Sequence, residues 1–369
     1  MKNKVLFADM RTSSKKNIFY KLDLLLEGLG SKTRIKKNSL IAIKIHFGER
    51  GNTAFVSPVF VRKIVDKVLE YKGKPFITDT NSLYRGDRND AISHLTLATL
   101  HGFTYSVVNA PLVISDGIRG NTAVKVKIDK YHFNEVSIGA ELYHADNIIS
   151  VAHFKGHDLT GFGGTIKNLG MGGASRQGKL AQHSNISPEV DKKLCKGCGY
   201  CLEICPSQAI SLKSKKSYIY QKKCIGCAEC ISICPYEAIK IQWNETSDIF
   251  QEKMVEHAFG VLKGKEGRAI FLNFLMNISP ACDCYAHADA PIVPNIGILA
   301  STNPVAIDQA SVDLVNKEIG IKNSALKSNH KKGEDKFRGL YPEIDWEIQL
   351  EHAEKLGMGL RRGYELIRV

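Results

Sequence analysis

Short apolar runs alternate with amphipathic stretches along most of the chain. Residues 5–8, 40–47, 75–79, 106–114 and 147–152 are compact runs rich in Val, Ile, Leu and Phe, each the length of a buried strand. Between them, residues 19–29, 58–71 and 90–100 carry apolar side chains at helical spacing, and Ser57-Pro58 supplies a cap followed by proline at the first helical position. Residues 269–277 and 296–300 are again strand-like, and Asn303-Pro304 opens a helix that runs to about Ile319. Strands alternating with helices predict an α/β fold with a largely parallel sheet flanked by helices.

Residues 190–242 break this rhythm. Eight of the ten cysteines fall there in two runs, Cys195-x2-Cys198-x2-Cys201-x3-Cys205-Pro206 and Cys224-x2-Cys227-x2-Cys230-x3-Cys234-Pro235, with every pair offset by 29 residues. The offset continues into Ala209-Ile210 and Ala238-Ile239, the mark of an internal duplication. Three thiolates at two-residue gaps can wrap one iron–sulfur cube, while the fourth, before proline, starts a short helix pointing away and serves the other cube. That assigns Cys195, Cys198, Cys201 and Cys234 to one [4Fe–4S] cluster, and Cys224, Cys227, Cys230 and Cys205 to a second. The small residues Gly197, Gly199, Gly226 and Ala228 would let backbone N–H groups reach the sulfurs. The segment resembles the bacterial two-cluster ferredoxin domain at all eight ligand positions, which implies electron transfer. It is expected to be a small α+β insertion, with residues 1–189 and 243–369 building the α/β domain together.

In open α/β sheets ligands sit beyond the carboxyl ends of the strands. Those ends are polar here: His46 after the second strand, Asp79 followed by Tyr84-Arg85-Gly86-Asp87-Arg88 after the third, and His153, Lys155 and His157 after the fifth. His46, Asp79, His153, Lys155 and His157 are therefore the candidate catalytic residues, and Arg85, Arg88 and Lys167 the candidate anion-holding residues. Residues 161–179 hold seven glycines, two lysines and an arginine. They could form a nest of backbone N–H groups for phosphate or carboxylate, or simply a tight connection into the cysteine-rich unit. The two remaining cysteines, Cys282 and Cys284, are too close in sequence for an easy disulfide. With Asp283, His287 or another histidine they could hold an additional metal ion such as zinc, iron or nickel; otherwise they are small buried hydrophobes.

The stretches His46-Phe47-Gly48-Glu49, Asp79-Thr80-Asn81-Ser82-Leu83-Tyr84, His153-Phe154-Lys155-Gly156-His157, residues 163–172, Asp283-Cys284-Tyr285 and Asn303-Pro304-Val305-Ala306-Ile307-Asp308 resemble the iron–sulfur centre proteins of the domain-of-unknown-function 362 family. The resemblance covers most of the chain. It implies a cytoplasmic iron–sulfur protein, often of anaerobes, and supplies neither a substrate nor a catalytic residue.

Composition changes this picture little. With 43% hydrophobic and 24% charged residues the chain is neither disordered nor fibrous. No apolar run approaches the roughly eighteen residues of a membrane helix, and residues 1–10 lack a leader's apolar core, so a cytoplasmic location with reduced thiols is expected. The formal charge of +13 falls to about +9 if two clusters contribute roughly −4. That charge favours a small anionic substrate or an acidic redox partner protein, and the scattered basic residues argue against nucleic acid. Three functions are open at this stage: an oxidoreductase whose clusters feed a site at the strand ends, a ferredoxin-like electron carrier or docking module without catalysis, and a metal or cluster maturation factor.

Overall fold

The computed structural model describes residues 3–369; Met1 and Lys2, the start of the segment read for a leader, lie outside the described residues. Among the described residues eight strands form one sheet. They are β1 (Lys4–Asp9), β2 (Leu40–Lys44), β3 (Lys74–Asp79), β4 (Leu112–Ile114), β5 (Asn147–His153), β6 (Ala269–Leu275), β7 (Gly297–Ser301) and β8 (Glu365–Arg368), in the spatial order β8-β1-β7-β6-β5-β2-β3-β4. Strand β7 pairs antiparallel with β1 and β6, and the other neighbours are parallel. The antiparallel turn-back follows from the connection: the chain between β6 and β7 contains no helix to carry it across the sheet. Residues 1–189 and 243–369 both contribute strands, with β5 of the first registered against β6 of the second from Ile148↔Ala269 to His153↔Phe274.

Side-chain alternation splits the inner strands between two cores. Val5 and Phe7 face one and Leu6 and Ala8 the other; Phe271 and Leu275 oppose Ile270 and Phe274 in the same way. Helices α1 (Ile18–Gly28), α2 (Pro58–Glu70) and α3 (Ala91–Leu100) cover one face. Of α4 (Thr165–Gly173), α5 (Arg176–His183), α6 (Ser247–Leu262) and α7 (Pro304–Lys317), the first and the last two cover the other. The side chains of Asn17, Asp90 and Asn303 cap α1, α3 and α7, each worth about 1 kcal/mol. Ser57 precedes Pro58 as expected, yet its hydroxyl makes no capping bond.

Three expectations need correction. Residues 106–114 do not form one strand: Tyr105–Val108 is a helical turn and only Leu112–Ile114 pairs, because Asn109 takes a left-handed conformation (φ 59°) that ends the turn and Pro111 follows it. The glycine-rich stretch is not an anion nest in a loop but a short strand, Gly161–Gly163, paired with Lys155–His157, followed by helices α4 and α5. Its glycines serve close packing: a Cβ on Gly170 would lie 2.1 Å from the Met254 carbonyl oxygen of α6. Neither Cys205-Pro206 nor Cys234-Pro235 starts a helix; the short helices Tyr200–Glu203 and Glu229–Ile233 precede them.

The cysteine-rich unit leaves and rejoins the α/β domain at one place, since Glu189–Val190 pairs antiparallel with Ile239–Lys240. It also contains the hairpin Ile210–Lys213 and Lys216–Ile219. Its apolar core is separate from the two sheet cores and includes Cys195, Cys201, Cys230, Cys234 and Ile231. Two residues of the larger domain, Leu83 and Leu180, are packed into it.

Candidate functional site

Two voids in the cysteine-rich unit divide its cysteines. Cys195, Cys198, Cys201 and Cys234 line one small cavity, and Cys205, Cys224, Cys227 and Cys230 line another. Each set takes three sulfurs from one run and one from the other. Backbone N–H groups point at the sulfurs, Ser217 at Cys195, Ala209 at Cys205 and Ala238 at Cys234, each at 3.3 Å. Gly197, Gly199 and Gly226 all have positive φ. Among the described residues no three His, Cys, Asp or Glu side chains converge on a point fit for a single ion.

The carboxyl ends of β2, β3, β5 and β6, four adjacent strands, open onto a cleft of about 530 Å³. On its floor the buried Lys44 ammonium lies 2.9 Å from Asp79 Oδ1 and donates to Asn168 Oδ1 at 2.9 Å. Burial opposes the charge on Asp79, but the Lys44 ammonium beside it, with Lys179 further off, holds its carboxyl well below the usual range. Its Oδ2 is buried without a hydrogen-bond partner. His46 accepts from the Gly48 N–H at 2.9 Å through Nδ1. Burial and then Arg88 push its pKa down to about 3, so the ring is neutral near pH 7. Arg88 is fixed by Glu49 at 2.9 Å and donates to the Tyr84 hydroxyl at 2.8 Å.

The opposite wall carries sulfur and lysine. Lys167, on the first turn of α4, donates to Cys282 Sγ at 3.4 Å. Burial works against its charge, yet Cys282 and Cys284 raise its pKa overall. Cys282 is held well below the usual thiol range by a hydrogen bond from the Cys284 thiol, against burial, and then by Lys167, His157 and Lys155. The same hydrogen bond, together with burial, pushes Cys284 up. His157 borders the Cys282 sulfur, and burial and Lys167 lower its pKa.

The position of α4 depends on Asp308. Its carboxylate accepts from the Thr165 N–H at 2.8 Å, the Ile166 N–H at 2.9 Å and the Asn273 amide at 2.7 Å. A Cβ on Gly164 would collide with it at 2.4 Å. Two of the sequence stretches quoted above, residues 163–172 and 303–308, thus meet at this carboxylate.

His46, Asp79, Lys155, His157, Arg88 and Lys167 share the cleft with Cys282 and Cys284. Two candidates do not. Arg85 turns to the cysteine-rich unit, donating to the carbonyls of Cys234 (3.2 Å) and Pro235 (2.6 Å), because that surface lies over the loop after β3. His153 is used up in structure: Nδ1 meets Asp283 Oδ1 at 2.7 Å and Nε2 the carbonyls of Met276 and Asn277 at 3.0 and 3.1 Å. Asp283 in turn takes Lys155 at 3.2 Å, so it faces away from the sulfurs, and His287 is exposed on the far side of Tyr285. Cys282 and Cys284 consequently stand as a pair without a third clustered ligand.

The sequence reading missed Lys44, hidden in an apolar strand, and the cleft's aromatic side. There His183 stacks on Phe250 (centroids 4.5 Å, 21°) and meets Trp243 edge-on at 4.6 Å. Lys179, also in the cleft, is pushed down to about 8 by burial.

These shifts predict acid sensitivity. His46 and His183 (about 3) and His257 (about 4) bind protons more weakly folded than unfolded, so stability is lost as pH falls below about 6.5. Asp116 and Asp308, raised to about 6 by burial, act in the opposite sense over the same range. The histidines prevail, and a net loss of about 2 kcal/mol is expected between pH 7 and 5.5. Thermal denaturation midpoints at the two pH values check this; an equal or higher midpoint at pH 5.5 would contradict it.

Comparison with known proteins places these features in context. The sequence model described as "Domain of unknown function (DUF362)" matches residues 41–313. A search of the curated proteins finds no match. Among solved structures, the lactate racemase apoprotein from Thermoanaerobacterium thermosaccharolyticum is similar at a TM-score of 0.39 and 15% identity, over 74% of this chain and 51% of that one. A crystallised protein from Thermotoga maritima is similar at a TM-score of 0.38 and 12% identity, over 93% of this chain and 59% of that one. The chain thus spans between half and three fifths of these proteins. Among the described residues no helix is long and apolar enough to cross a membrane.

Proposed function

The chain belongs to the DUF362 family, and for this member we propose an iron–sulfur oxidoreductase in which two [4Fe–4S] clusters exchange electrons with an anionic substrate held in the strand-end cleft. The observation that carries the reading is the division of eight cysteines around two voids, three from one run and one from the other, in a unit packed beside a lysine-lined cleft. A zinc site would gather four ligands at one point instead. Cys195, Cys198, Cys201 and Cys234 would hold one cluster and Cys205, Cys224, Cys227 and Cys230 the other, supplying one-electron redox chemistry. The buried environment and N–H···S contacts suit that group.

The protein's own residues then have definite tasks. Lys155 and Lys167 attract an anion, and the neutral His46, whose Nδ1 accepts from Gly48, is left with its Nε2–H as a hydrogen-bond donor. The aromatic side formed by His183, Phe250 and Trp243 excludes water from one wall. An additional metal at Cys282 and Cys284 would need its remaining ligands from substrate or solvent.

Calorimetric titration of the iron-loaded protein with inorganic phosphate and with small dicarboxylates tests the cleft. Binding of one of these, weakened about 10–100-fold in Lys155→Met, is the expected result. Absence of binding by every probe, with electron exchange to a viologen dye unchanged in Lys155→Met and Cys284→Ala, would favour the electron-carrier reading.

A further inference from the structure

The loop after β6 places two sulfurs where the cleft approaches the cysteine-rich unit. Cys282 and Cys284 are both free thiols, Cys282 buried and Cys284 partly exposed. A turn closed by the Tyr285 N–H on the Cys282 carbonyl (3.1 Å) turns the intervening Asp283 to its buried partners His153 and Lys155, and leaves Cys282 and Cys284 both lining the cleft. Lys167 at 3.4 Å and His157 give the Cys282 sulfur the cationic, hydrogen-bonded surroundings of a reactive thiolate rather than of a buried hydrophobe.

A short strap joins this pair to the cluster cysteines. Leu83 is packed into the core that contains Cys201, Cys230 and Cys234. Its neighbour Tyr84 donates a hydrogen bond to the Cys284 carbonyl at 3.2 Å. The next residue, Arg85, donates to the Cys234 carbonyl at 3.2 Å. Three consecutive residues therefore touch the cluster cavity and the dithiol loop at once. No cleft residue's position requires such a connection if the cleft only binds an anion.

We propose that Cys282 and Cys284 are a redox-active pair, cycling between dithiol and a disulfide that the one-residue spacing strains and so makes readily reducible, and that Leu83-Tyr84-Arg85 couples it to the iron–sulfur unit. This rests on the cluster reading above. The electrons balance: reduction breaks one S–S bond, takes two electrons and two protons, and leaves two thiols, while the two clusters release one electron each. The protons come from solvent through the cleft. Oxidation of a two-electron substrate in the cleft would run the same step in reverse.

Reductive titration of the iron-loaded protein under anaerobic conditions tests this. The protein is first treated with oxidised glutathione, freed of it, and then given dithionite in small steps. Each sample is read by EPR and, after iodoacetamide quenching and trypsin digestion, by the mass of peptide 269–317, whose only cysteines are this pair. The oxidised peptide should take no alkyl group and weigh about 2 Da less than the dithiol. Reduced-cluster signal should lag by about two electron equivalents in the wild type and appear from the first equivalent in Cys282→Ser/Cys284→Ser. Two alkyl groups at every stage, or a wild-type signal without a lag, would overturn the dithiol proposal while leaving the clusters in place. A protein that shows no cluster signal at any dose would instead overturn the reading on which it rests. Should the double variant fold poorly, the peptide mass and the lag in the wild type still decide.

Discussion

Cys230→Ser is expected to lower the iron content from about eight to about four per chain and to abolish the magnetic interaction between the two clusters. Cys230 is a buried lining residue of the second void, together with Cys205, Cys224 and Cys227. Loss of one thiolate leaves that cluster three protein ligands, whereas the first keeps Cys195, Cys198, Cys201 and Cys234. The effect should reach the α/β domain, because the helix that carries Cys230 is also its mooring. Asn121 donates to Glu229 at 3.1 Å and Arg176 to the Ser232 hydroxyl at 2.5 Å, so the helix Glu229–Ile233 is tied to the larger domain near both its ends. Iron and acid-labile sulfide analysis with EPR reads the result. Full iron content with an unchanged interacting spectrum would show that Cys230 is not a ligand. Cys282→Ser should leave the iron content unchanged.

Asp308→Ala is expected to destabilise the protein by about 3 kcal/mol and to blunt the reactivity of Cys282 toward iodoacetamide at pH 7. The carboxylate is fully buried and satisfies two N–H groups at the start of α4 as well as the Asn273 amide. Removing it strands three buried donors, and each costs about 1 kcal/mol or more. The chemical consequence follows from geometry: Lys167 and Asn168 sit on the turn that Asp308 anchors, and Lys167 is the cation beside the Cys282 sulfur. Loosening that turn removes part of the charge that lowers the thiol. Thermal denaturation and alkylation rate against pH measure the two effects. A loss below about 1 kcal/mol, with an unchanged alkylation profile, would contradict this account of Asp308.

The architecture could be read from the chain because its strongest signals are periodic. The apolar runs of β2, β5 and β6 and the helical patterns of α1, α2 and α3 placed the sheet and its layers within a few residues of the observed bounds. The strand ends then pointed to the cleft, and His46, Asp79, Lys155 and His157 do line it. What the chain concealed is tertiary. His153 and Arg85 have the same chemistry as their cleft-lining neighbours, and only the positions of Asp283 and of the Cys234 carbonyl decide where they turn. The glycines of residues 161–179 left an anion nest and a tight connection both open, since nothing in the sequence reveals that α6 approaches Gly170 closely enough to forbid a side chain. Asp308 entered only as the end of a stretch carrying the family resemblance, with no role; that role appears only when Thr165, Ile166 and Asn273 are brought to it. Strand β8 carries too few buried residues to stand out, being an exposed edge.

The most direct test of the central claim is metal and sulfide analysis of the wild-type protein, prepared anaerobically and followed by EPR after reduction. About eight iron and eight sulfide per chain, with the broadened spectrum of two neighbouring [4Fe–4S]⁺ clusters, is the predicted result. Zinc in place of iron, or a protein that retains less than about one cluster's iron after anaerobic reconstitution, would contradict it.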